Sequence, residues 1–246
     1  MTARIVLATA LESADLMPSD QLYAEALERR GCRVAAAPWD GPRAAFAEAD
    51  AVVIRATWGY YRTLEAFRDW TETTAAASRL FNSIDLVRWN LRKDYVDKLD
   101  AAGIRVPRSH VVACETAIVG EVLEREGWEQ AIVKPATGAS GHSVELLQRA
   151  TLDRQIAGLS AEARASGVVV QEFLPEIAEG ELSLIYFDGV FSHAIRKLED
   201  AVGAQLFDRT TRRVELTLPE GTGDDAWAIC GPACQGRGDV SSRNLW

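Results

Sequence analysis

Near the middle of the chain, an apolar strand pattern runs into a loop of small residues: Ile132-Val133-Lys134-Pro135-Ala136-Thr137-Gly138-Ala139-Ser140-Gly141-His142-Ser143. A lysine at the end of a strand can place its ammonium group on phosphate oxygens, and glycines let main-chain N–H groups approach the same oxygens. The stretch is not a P-loop, because Lys134 precedes the glycines and no helix pattern follows directly. It predicts a polyphosphate site, and the alternative is a solvated lysine before a hairpin loop.

A second polar stretch lies downstream: Gln171-Glu172-Phe173-Leu174-Pro175, followed by Glu179-Gly180-Glu181. An extended apolar segment with a polar start can give an adenine base a flat pocket and main-chain hydrogen bonds. A carboxylate a few residues later can accept hydrogen bonds from ribose hydroxyls. Each stretch alone is more typical of a strand end beside a loop or charged turn, but the two together favour a nucleotide site.

Upstream of these stretches, strand patterns alternate with helix patterns. Three runs rich in Val, Ile and Ala are typical of short strands: 5–8, 33–36 and 51–55. A helix is predicted from Ser19 to Gly31, with Leu22 on its apolar face. This order predicts a parallel sheet covered by helices. The absence of a G-x-G-x-x-G motif after the first strand argues against a dinucleotide site.

The same alternation continues along the chain. Further helices are predicted over 64–78, 93–102, 116–125 and 152–165, and further strands over 80–81, 111–112, 132–134, 144–147 and 168–171. The segments 182–187 and 190–194 form a predicted hairpin around Asp188-Gly189, a dipeptide typical of type I′ turns. After Arg196, glycines and prolines break every regular pattern, which predicts a loosely ordered tail.

Composition narrows the class of protein further. The net charge of −9 over 246 residues argues against a general nucleic-acid binder, which needs stripes of Lys and Arg to displace counterions. A nucleic-acid partner is therefore not predicted. No apolar run approaches the ~20 residues of a membrane span, so a membrane partner is not predicted either. Of the four cysteines, only Cys230 and Cys234 are close, and nothing pairs with them at zinc-site spacing. We expect a cytoplasmic protein with free thiols and no metal site.

Several short motifs together resemble a known family. They are Trp89-Asn90 with Lys93, Gly103-Ile104 with Val106-Pro107, Val133-Lys134-Pro135 with its loop, Gln171-Glu172-Phe173-Leu174, and Glu181. In this order they resemble the ATP-grasp superfamily, and within it the glutathione-synthetase and ribosomal-protein glutamate ligase type. The chain also resembles a bacterial subgroup that includes the cycloserine-forming cyclo-ligase, at Arg55-Ala56-Thr57-Trp58-Gly59-Tyr60-Tyr61 and Phe191-Ser192-His193-Ala194. The resemblance covers roughly residues 4–196.

The resemblance implies an α/β protein in three parts. These are an N-terminal parallel-sheet domain over 1–88, an ATP-grasp region over 89–196 whose second α+β subdomain is incomplete, and a divergent, poorly ordered tail over 197–246. It also implies an ATP-dependent ligase for small molecules. In such enzymes a substrate carboxylate attacks the γ-phosphate of ATP, and an amine or similar nucleophile then displaces phosphate from the acylphosphate. This chemistry depends on charge neutralisation and positioning, and no catalytic side chain is identified.

The same resemblance implies a set of nucleotide contacts. Lys93 and Lys134 bind the α- and β-phosphates, and the loop folds over the phosphates with Thr137, Gly138, Ala139, Ser140 and Gly141. Gln171, Glu172 and Leu174 contact adenine, and Glu181 contacts the ribose. Mg²⁺ accompanies ATP in this family, on an acidic residue and a Glu-x-Asn pair late in the fold.

Two differences from the family leave an alternative open. No Glu-x-Asn motif follows Arg196, and Asp224, Asp225 and Asn244 are candidate ligands by residue type only. Ala56 and Gly59 stand where subgroup members usually have Ser and Asp, which predicts different substrate handling. The alternative function is a non-catalytic nucleotide-binding remnant that lacks the magnesium motif.

The tail resembles a different family. The stretch 192–217 is similar to the recognition helix and wing of LysR-type regulators, but the two preceding helices of a winged helix-turn-helix are missing. A lone recognition helix rarely stays folded. A DNA-binding fragment is therefore a third hypothesis. The preferred interpretation is an ATP-grasp region that is cut short and joined to unrelated sequence.

Overall fold

The computed structural model describes residues 2–139, 141–187, 190–198 and 213–215. The chain divides into two compact units, residues 1–91 and 92–246. Within the described ranges, no helix is both long and apolar enough to cross a membrane.

The first unit is built on a parallel sheet, as the sequence predicts. Its strands are β1 (Arg4–Thr9), β2 (Arg33–Pro38), β3 (Ala51–Ile54) and β4 (Arg79–Phe81), in the order β2-β1-β3-β4. Its helices are α1 (Pro18–Glu28), α2 (Ala44–Ala47), α3 (Leu64–Ala77) and α4 (Ile84–Asn90), with a 3₁₀ turn at Tyr60–Thr63. Every strand pairs in parallel with its neighbour, because a helix or turn carries the chain back between successive strands.

Aromatic side chains fill the core of the first unit. The rings of Trp39 and Phe67 meet edge to face with centroids 5.0 Å apart, and Phe46 meets Trp70 in the same way at 5.2 Å. The predicted apolar face of α1 is wrong at Leu22, whose exposed fraction is 65%. The helix buries Asp20 instead, because that carboxylate accepts a hydrogen bond from the Arg55 guanidinium at 2.7 Å.

The second unit carries an antiparallel sheet with helices on one face. Its strands are β5 (Ser109–Val112), β6 (Gln130–Pro135), β7 (Glu145–Gln148) and β8 (Val168–Glu172), in the order β5-β8-β6-β7. Its helices are α5 (Tyr95–Ala101), α6 (Thr116–Glu126), α7 (Leu152–Gly158) and α8 (Ala161–Ser166). A 3₁₀ turn at Arg149–Thr151 precedes α7, and another at Pro175–Glu179 follows β8.

The two faces of this sheet differ in chemistry. Val133 and Val170 are opposite each other on β6 and β8, and both are fully buried in a core that includes Val119 and Leu123 of α6. Because side chains alternate along a strand, Lys134 of β6 belongs to the other face. The register places the side chains of Gln171 and Ser109 on that same face.

Two predicted helices differ from the observed ones. The helix expected over 93–102 begins at Tyr95, so Lys93 precedes it. The helix expected over 152–165 is two helices, α7 and α8. Ser160 separates them, because its hydroxyl accepts a hydrogen bond from the Ala163 N–H and caps the start of α8.

The predicted hairpin is present as β9 (Glu181–Phe187) and β10 (Val190–Leu198), which pair antiparallel. Its turn, Asp188-Gly189, lies outside the described residues. The recognition helix suggested by the second resemblance is not observed over 192–198, where the chain is the strand β10. A short strand, β11 (Arg213–Glu215), pairs with the end of β10. Residues 197, 198 and 213–215 therefore depart from the irregular tail predicted for 197–246.

Candidate functional site

The segment just before α5 fixes Lys93 against the loop that follows β6. The Lys93 N–H donates to the Ala136 oxygen at 2.8 Å, and the Lys93 Nζ donates to the Gly138 oxygen at 2.7 Å. The preceding residue, Arg92, donates from its guanidinium to the Ser166 oxygen at the end of α8. Lys93 and the loop therefore form one local structure.

Lys134 approaches the same region from the sheet. Its Nζ donates to Gln171 Oε1 at 3.0 Å, and Gln171 Nε2 donates in turn to Ser109 Oγ at 2.8 Å. These three residues lie on neighbouring strands of one sheet face. The structure thus brings together Lys93, Lys134, Gln171 and the loop.

The electrostatics of the two lysines favour an anionic ligand. Both side chains are half-buried, and within the described ranges neither forms an ion pair with a carboxylate. Burial, and then the charge of Lys134, lower the pKa of Lys93 to about 8. Burial also lowers the pKa of Lys134. Two neighbouring ammonium groups with little solvation and no counterion gain free energy when an anion binds between them.

The loop after β6 combines buried and left-handed residues. Thr137 and Gly138 are buried beside Lys93, while Gly141 and Ser143 have positive φ angles of 70° and 54°. The His142 Nε2 lies 3.5 Å from Glu162 Oε2, which directs that side chain toward the start of α8. Ser140 lies outside the described residues.

The predicted base-binding residues have different surroundings. The Glu172 carboxylate accepts hydrogen bonds from the Arg108 N–H at 2.8 Å and from Arg108 Nε at 3.2 Å. Alternation along β8 places it on the helix-covered face, opposite Gln171. Any nucleotide contact of Glu172 on the lysine face must therefore use its main chain. Leu174 follows β8 with an exposed fraction of 42%, and Glu181 begins β9 and is half-buried.

Sequence reasoning missed Ser109 and Arg108. Ser109 reaches Gln171 only because β5 is paired with β8, a contact across 62 residues that no local pattern reveals.

The free thiols Cys32 and Cys114 form no disulfide. Within the described part of the chain, no three His, Cys, Asp or Glu residues cluster as metal ligands would. Asp224, Asp225, Asn244, Cys230 and Cys234 lie outside it.

The fold of the chain is that of the ATP-grasp ligases. A crystal structure of the D-cycloserine synthetase DcsG superposes with a TM-score of 0.79 at 24% identity, and the match covers 96% of this chain and 80% of that one. The D-alanine–D-alanine ligase from Bacillus anthracis matches with a TM-score of 0.61 at 15% identity, over 98% of this chain and 80% of that one. These matches confirm the α/β ATP-grasp fold inferred from the sequence motifs.

Sequence comparisons point to the same group. Residues 5–82 match the family described as "D-cycloserine synthetase DcsG, N-terminal domain". The cycloserine biosynthesis protein DcsG of Streptomyces lavendulae is 30% identical over 181 residues, which are 70% of this chain and 60% of that protein. The chain thus spans less than two thirds of that relative's length. Residues 189–221 match the family of bacterial regulatory helix-turn-helix proteins of the lysR type, in agreement with the second resemblance.

Proposed function

We propose that this chain binds MgATP and uses it to join a small-molecule carboxylate to an amine or similar nucleophile. The observation that carries the proposal is the pair of half-buried lysines, Lys93 and Lys134, beside a loop rich in small residues. A polyphosphate supplies the negative charge that this pair lacks. We place this reaction in the cytoplasm, where the thiols of Cys32 and Cys114 would stay reduced.

Each predicted site residue has a role in this proposal. Lys93 and Lys134 neutralise the α- and β-phosphates, and Thr137 to Gly141, with Ser140 among them, cover the phosphates. The Thr137 N–H donates to Ser166 Oγ at 3.3 Å, so the main-chain N–H groups for the phosphates come from the residues after it. Leu174 and the main chain of Glu172 line the base, and the Glu181 carboxylate accepts from the ribose. The resemblance implies an adenine contact for Gln171 as well, although its amide oxygen accepts a hydrogen bond from Lys134. Arg108 supports this geometry, because it engages the Glu172 carboxylate and accepts a hydrogen bond from the Glu172 N–H at 2.9 Å, which leaves the main-chain oxygen of Glu172 for the base.

The chemistry proposed for this site needs positioning more than a protein nucleophile. A carboxylate oxygen of the substrate bonds to the γ-phosphorus of ATP and the bond to ADP breaks, giving an acylphosphate. The amine then attacks the acyl carbon, phosphate leaves, and the amine loses a proton. The lysines stabilise the charge that gathers on the phosphate oxygens of the leaving ADP.

Magnesium is the part of the proposal that the described residues do not support by themselves. They contain no cluster of three acidic or other metal-ligating side chains. Mg²⁺ is commonly held by substrate phosphates together with one or two carboxylates. We therefore assign no residue of this chain to the ion.

Binding is tested by thermal unfolding with and without millimolar MgATP. We expect MgATP to raise the melting temperature of the wild type, and we expect Lys93→Met and Lys134→Met to remove most of that increase. Lys98→Met is the matched control, because Lys98 is an exposed lysine of α5. An unchanged melting temperature in the wild type at millimolar MgATP would contradict the proposal.

Catalysis is tested separately by phosphate release. The names of the similar proteins refer to D-cycloserine and to D-alanine, so D-alanine and its derivatives are the first carboxylates to screen. Phosphate release that requires both a carboxylate and an amine indicates a ligase. Nucleotide binding without phosphate release, across the screened carboxylates, indicates the alternative of a non-catalytic nucleotide-binding protein.

A further inference from the structure

A row of hydrogen bonds crosses three strands and ends at Lys134. Ser109 Oγ donates to the Pro107 oxygen at 2.8 Å, Gln171 Nε2 donates to Ser109 Oγ at 2.8 Å, and Lys134 Nζ donates to Gln171 Oε1 at 3.0 Å. Ser109, Gln171 and Lys134 are all half-buried. We call this row the Ser109 relay.

The relay has one possible direction. The Pro107 oxygen can only accept, so the hydroxyl hydrogen of Ser109 is used there and its oxygen is left to accept. The amide of Gln171 must therefore turn its nitrogen toward Ser109. Its oxygen then faces Lys134, whose ammonium group can only donate. The hydroxyl at position 109 thus anchors the nitrogen end of the Gln171 amide, whose oxygen faces Lys134.

We propose that Ser109 is a positioning residue for the phosphate site: it fixes the Gln171 amide, which holds the Lys134 ammonium in place for the β-phosphate. This inference rests on the proposed nucleotide function. It assigns Gln171 to the phosphate side of the nucleotide, because both ends of its amide are engaged in the relay. The adenine contact expected for Gln171 from the resemblance is a competing role.

The two roles of Gln171 predict different ligand profiles for Ser109→Ala. Without the hydroxyl, the nitrogen end of the Gln171 amide loses its anchor, so the amide can leave this position and the ammonium loses its fixed acceptor. We expect the affinity for MgATP and for magnesium tripolyphosphate to fall by about fivefold, as for the loss of one neutral hydrogen bond. The affinity for adenosine should not change. Ser109→Thr keeps a hydroxyl and should restore wild-type affinity for MgATP and tripolyphosphate.

Calorimetric titration of the three ligands into wild type, Ser109→Ala and Ser109→Thr provides this test. If adenosine binding falls in Ser109→Ala as much as MgATP binding, Gln171 serves the base and the positioning role is overturned. It is also overturned if Ser109→Ala binds all three ligands as the wild type does. Circular dichroism of both variants checks that the fold is retained.

A second measurement needs no nucleotide and separates this inference from the proposed function. The ¹⁵N resonance of the Lys134 ammonium, identified by its loss in Lys134→Met, is followed against pH in the ligand-free protein. We expect Ser109→Ala to lower the pKa of Lys134 further, because the charged form loses its acceptor, and Ser109→Thr to leave that pKa unchanged. An unchanged pKa in Ser109→Ala refutes the relay even if the wild type binds MgATP. A lowered pKa supports the relay even if MgATP does not bind.

Discussion

The Lys93 ammonium donates a hydrogen bond to the main-chain oxygen of Gly138 across 2.7 Å, although the two residues are 45 positions apart in the chain. A second bond, from the Lys93 N–H to the Ala136 oxygen, ties the same two segments together. Lys93 therefore holds the loop after β6 in place before any ligand binds. Its charge is at the same time poorly solvated and close to Lys134. The Lys93 side chain therefore orders the loop and is at the same time repelled by the charge of Lys134.

The first prediction is that Lys93→Met stabilises the ligand-free protein. A pKa lowered from 10.5 to about 8 means that folding penalises the charged form at neutral pH. Methionine keeps the apolar stem and removes the charge, while the lost bond to Gly138 offsets part of the gain. We expect the free energy of unfolding to rise by about 1–2 kcal/mol. Urea unfolding at pH 7 measures it.

Lys98→Met is the control for this prediction, because Lys98 is exposed and its removal should change the free energy of unfolding by less than ~0.5 kcal/mol. The Lys93→Met variant should combine its higher stability with a lost response to MgATP. A lower stability than wild type shows that the hydrogen bonds of Lys93 outweigh its desolvation.

The second prediction concerns the pH dependence of nucleotide binding. Phosphates bind the protonated form of Lys93, whose pKa is about 8 in the free protein. Affinity for MgATP should therefore change little from pH 7 to 7.5 and decrease above pH 8, where binding requires the uptake of a proton. Calorimetry in two buffers of different ionisation enthalpy measures that uptake directly. In Lys93→Arg the guanidinium stays protonated, so the decrease above pH 8 should become smaller.

Ligand-free stability should show the opposite trend with pH. Between about pH 8 and 10.5, the unfolded chain holds a proton on Lys93 that the folded protein has released. The free energy of unfolding gains a positive slope with pH in this window from that group. The slope is absent in Lys93→Met. An identical slope in the two proteins contradicts the assignment of the lowered pKa to Lys93.

Local patterns account for the elements of the fold but not for the contacts of the site. The alternation of apolar runs and helix patterns predicts the parallel sheet of β1 to β4, and the Asp188-Gly189 signal predicts the hairpin of β9 and β10. The order β5-β8-β6-β7 does not follow from such patterns, because antiparallel partners can be far apart in the chain. Ser109, which reaches Gln171 through this order, could not be found from sequence.

Side-chain partners explain the remaining differences. Leu22 fits the apolar spacing of a helix but is exposed, since Asp20 turns inward to meet Arg55. The apolar pattern over 152–165 continues through Leu159, which is buried in the core, although the helix itself is interrupted there. Lys93 and Lys134 were predictable as a pair only from the resemblance to a family, because no spacing rule connects them.

The third prediction concerns Arg108, which connects two carboxylates on the helix-covered face. It forms ion pairs with Glu172 at 3.2 Å and with Glu126 at 3.2 Å, and its guanidinium lies over the Trp128 ring. Arg108→Ala leaves these carboxylates without that partner. We expect a loss of about 1 kcal/mol in the free energy of unfolding, since the guanidinium itself is largely exposed. The affinity for inorganic tripolyphosphate should not change, because the lysines lie on the other face.

Arg125→Ala is the comparison for Arg108→Ala. Arg125 contacts Glu126 at 3.5 Å but has no bond to Glu172. Arg125→Ala should lower the free energy of unfolding by less than half as much as Arg108→Ala does. If Arg108→Ala instead weakens tripolyphosphate binding several-fold, the two faces of the sheet are coupled, and the separation inferred from strand alternation is wrong.

The fourth prediction uses the unequal burial of Asp20 and Arg55 in the first unit. The Asp20 side chain is 5% exposed and that of Arg55 is 39% exposed, and Arg55 Nε and Nη2 both contact Asp20 Oδ1. Arg55→Met leaves a buried carboxylate without its cation, which should lower the free energy of unfolding by about 2–3 kcal/mol. Asp20→Asn leaves a guanidinium that water can still reach, so we expect the free energy of unfolding to fall by only about 1 kcal/mol.

The double variant removes the charge that Arg55→Met leaves unpaired, and should therefore be more stable than Arg55→Met alone. Urea unfolding of all four proteins gives the coupling between the two side chains. The prediction is contradicted if the two single variants lose equal free energy of unfolding and their losses add in the double variant. The burial of Asp20 would then have no effect on what the ion pair contributes to stability.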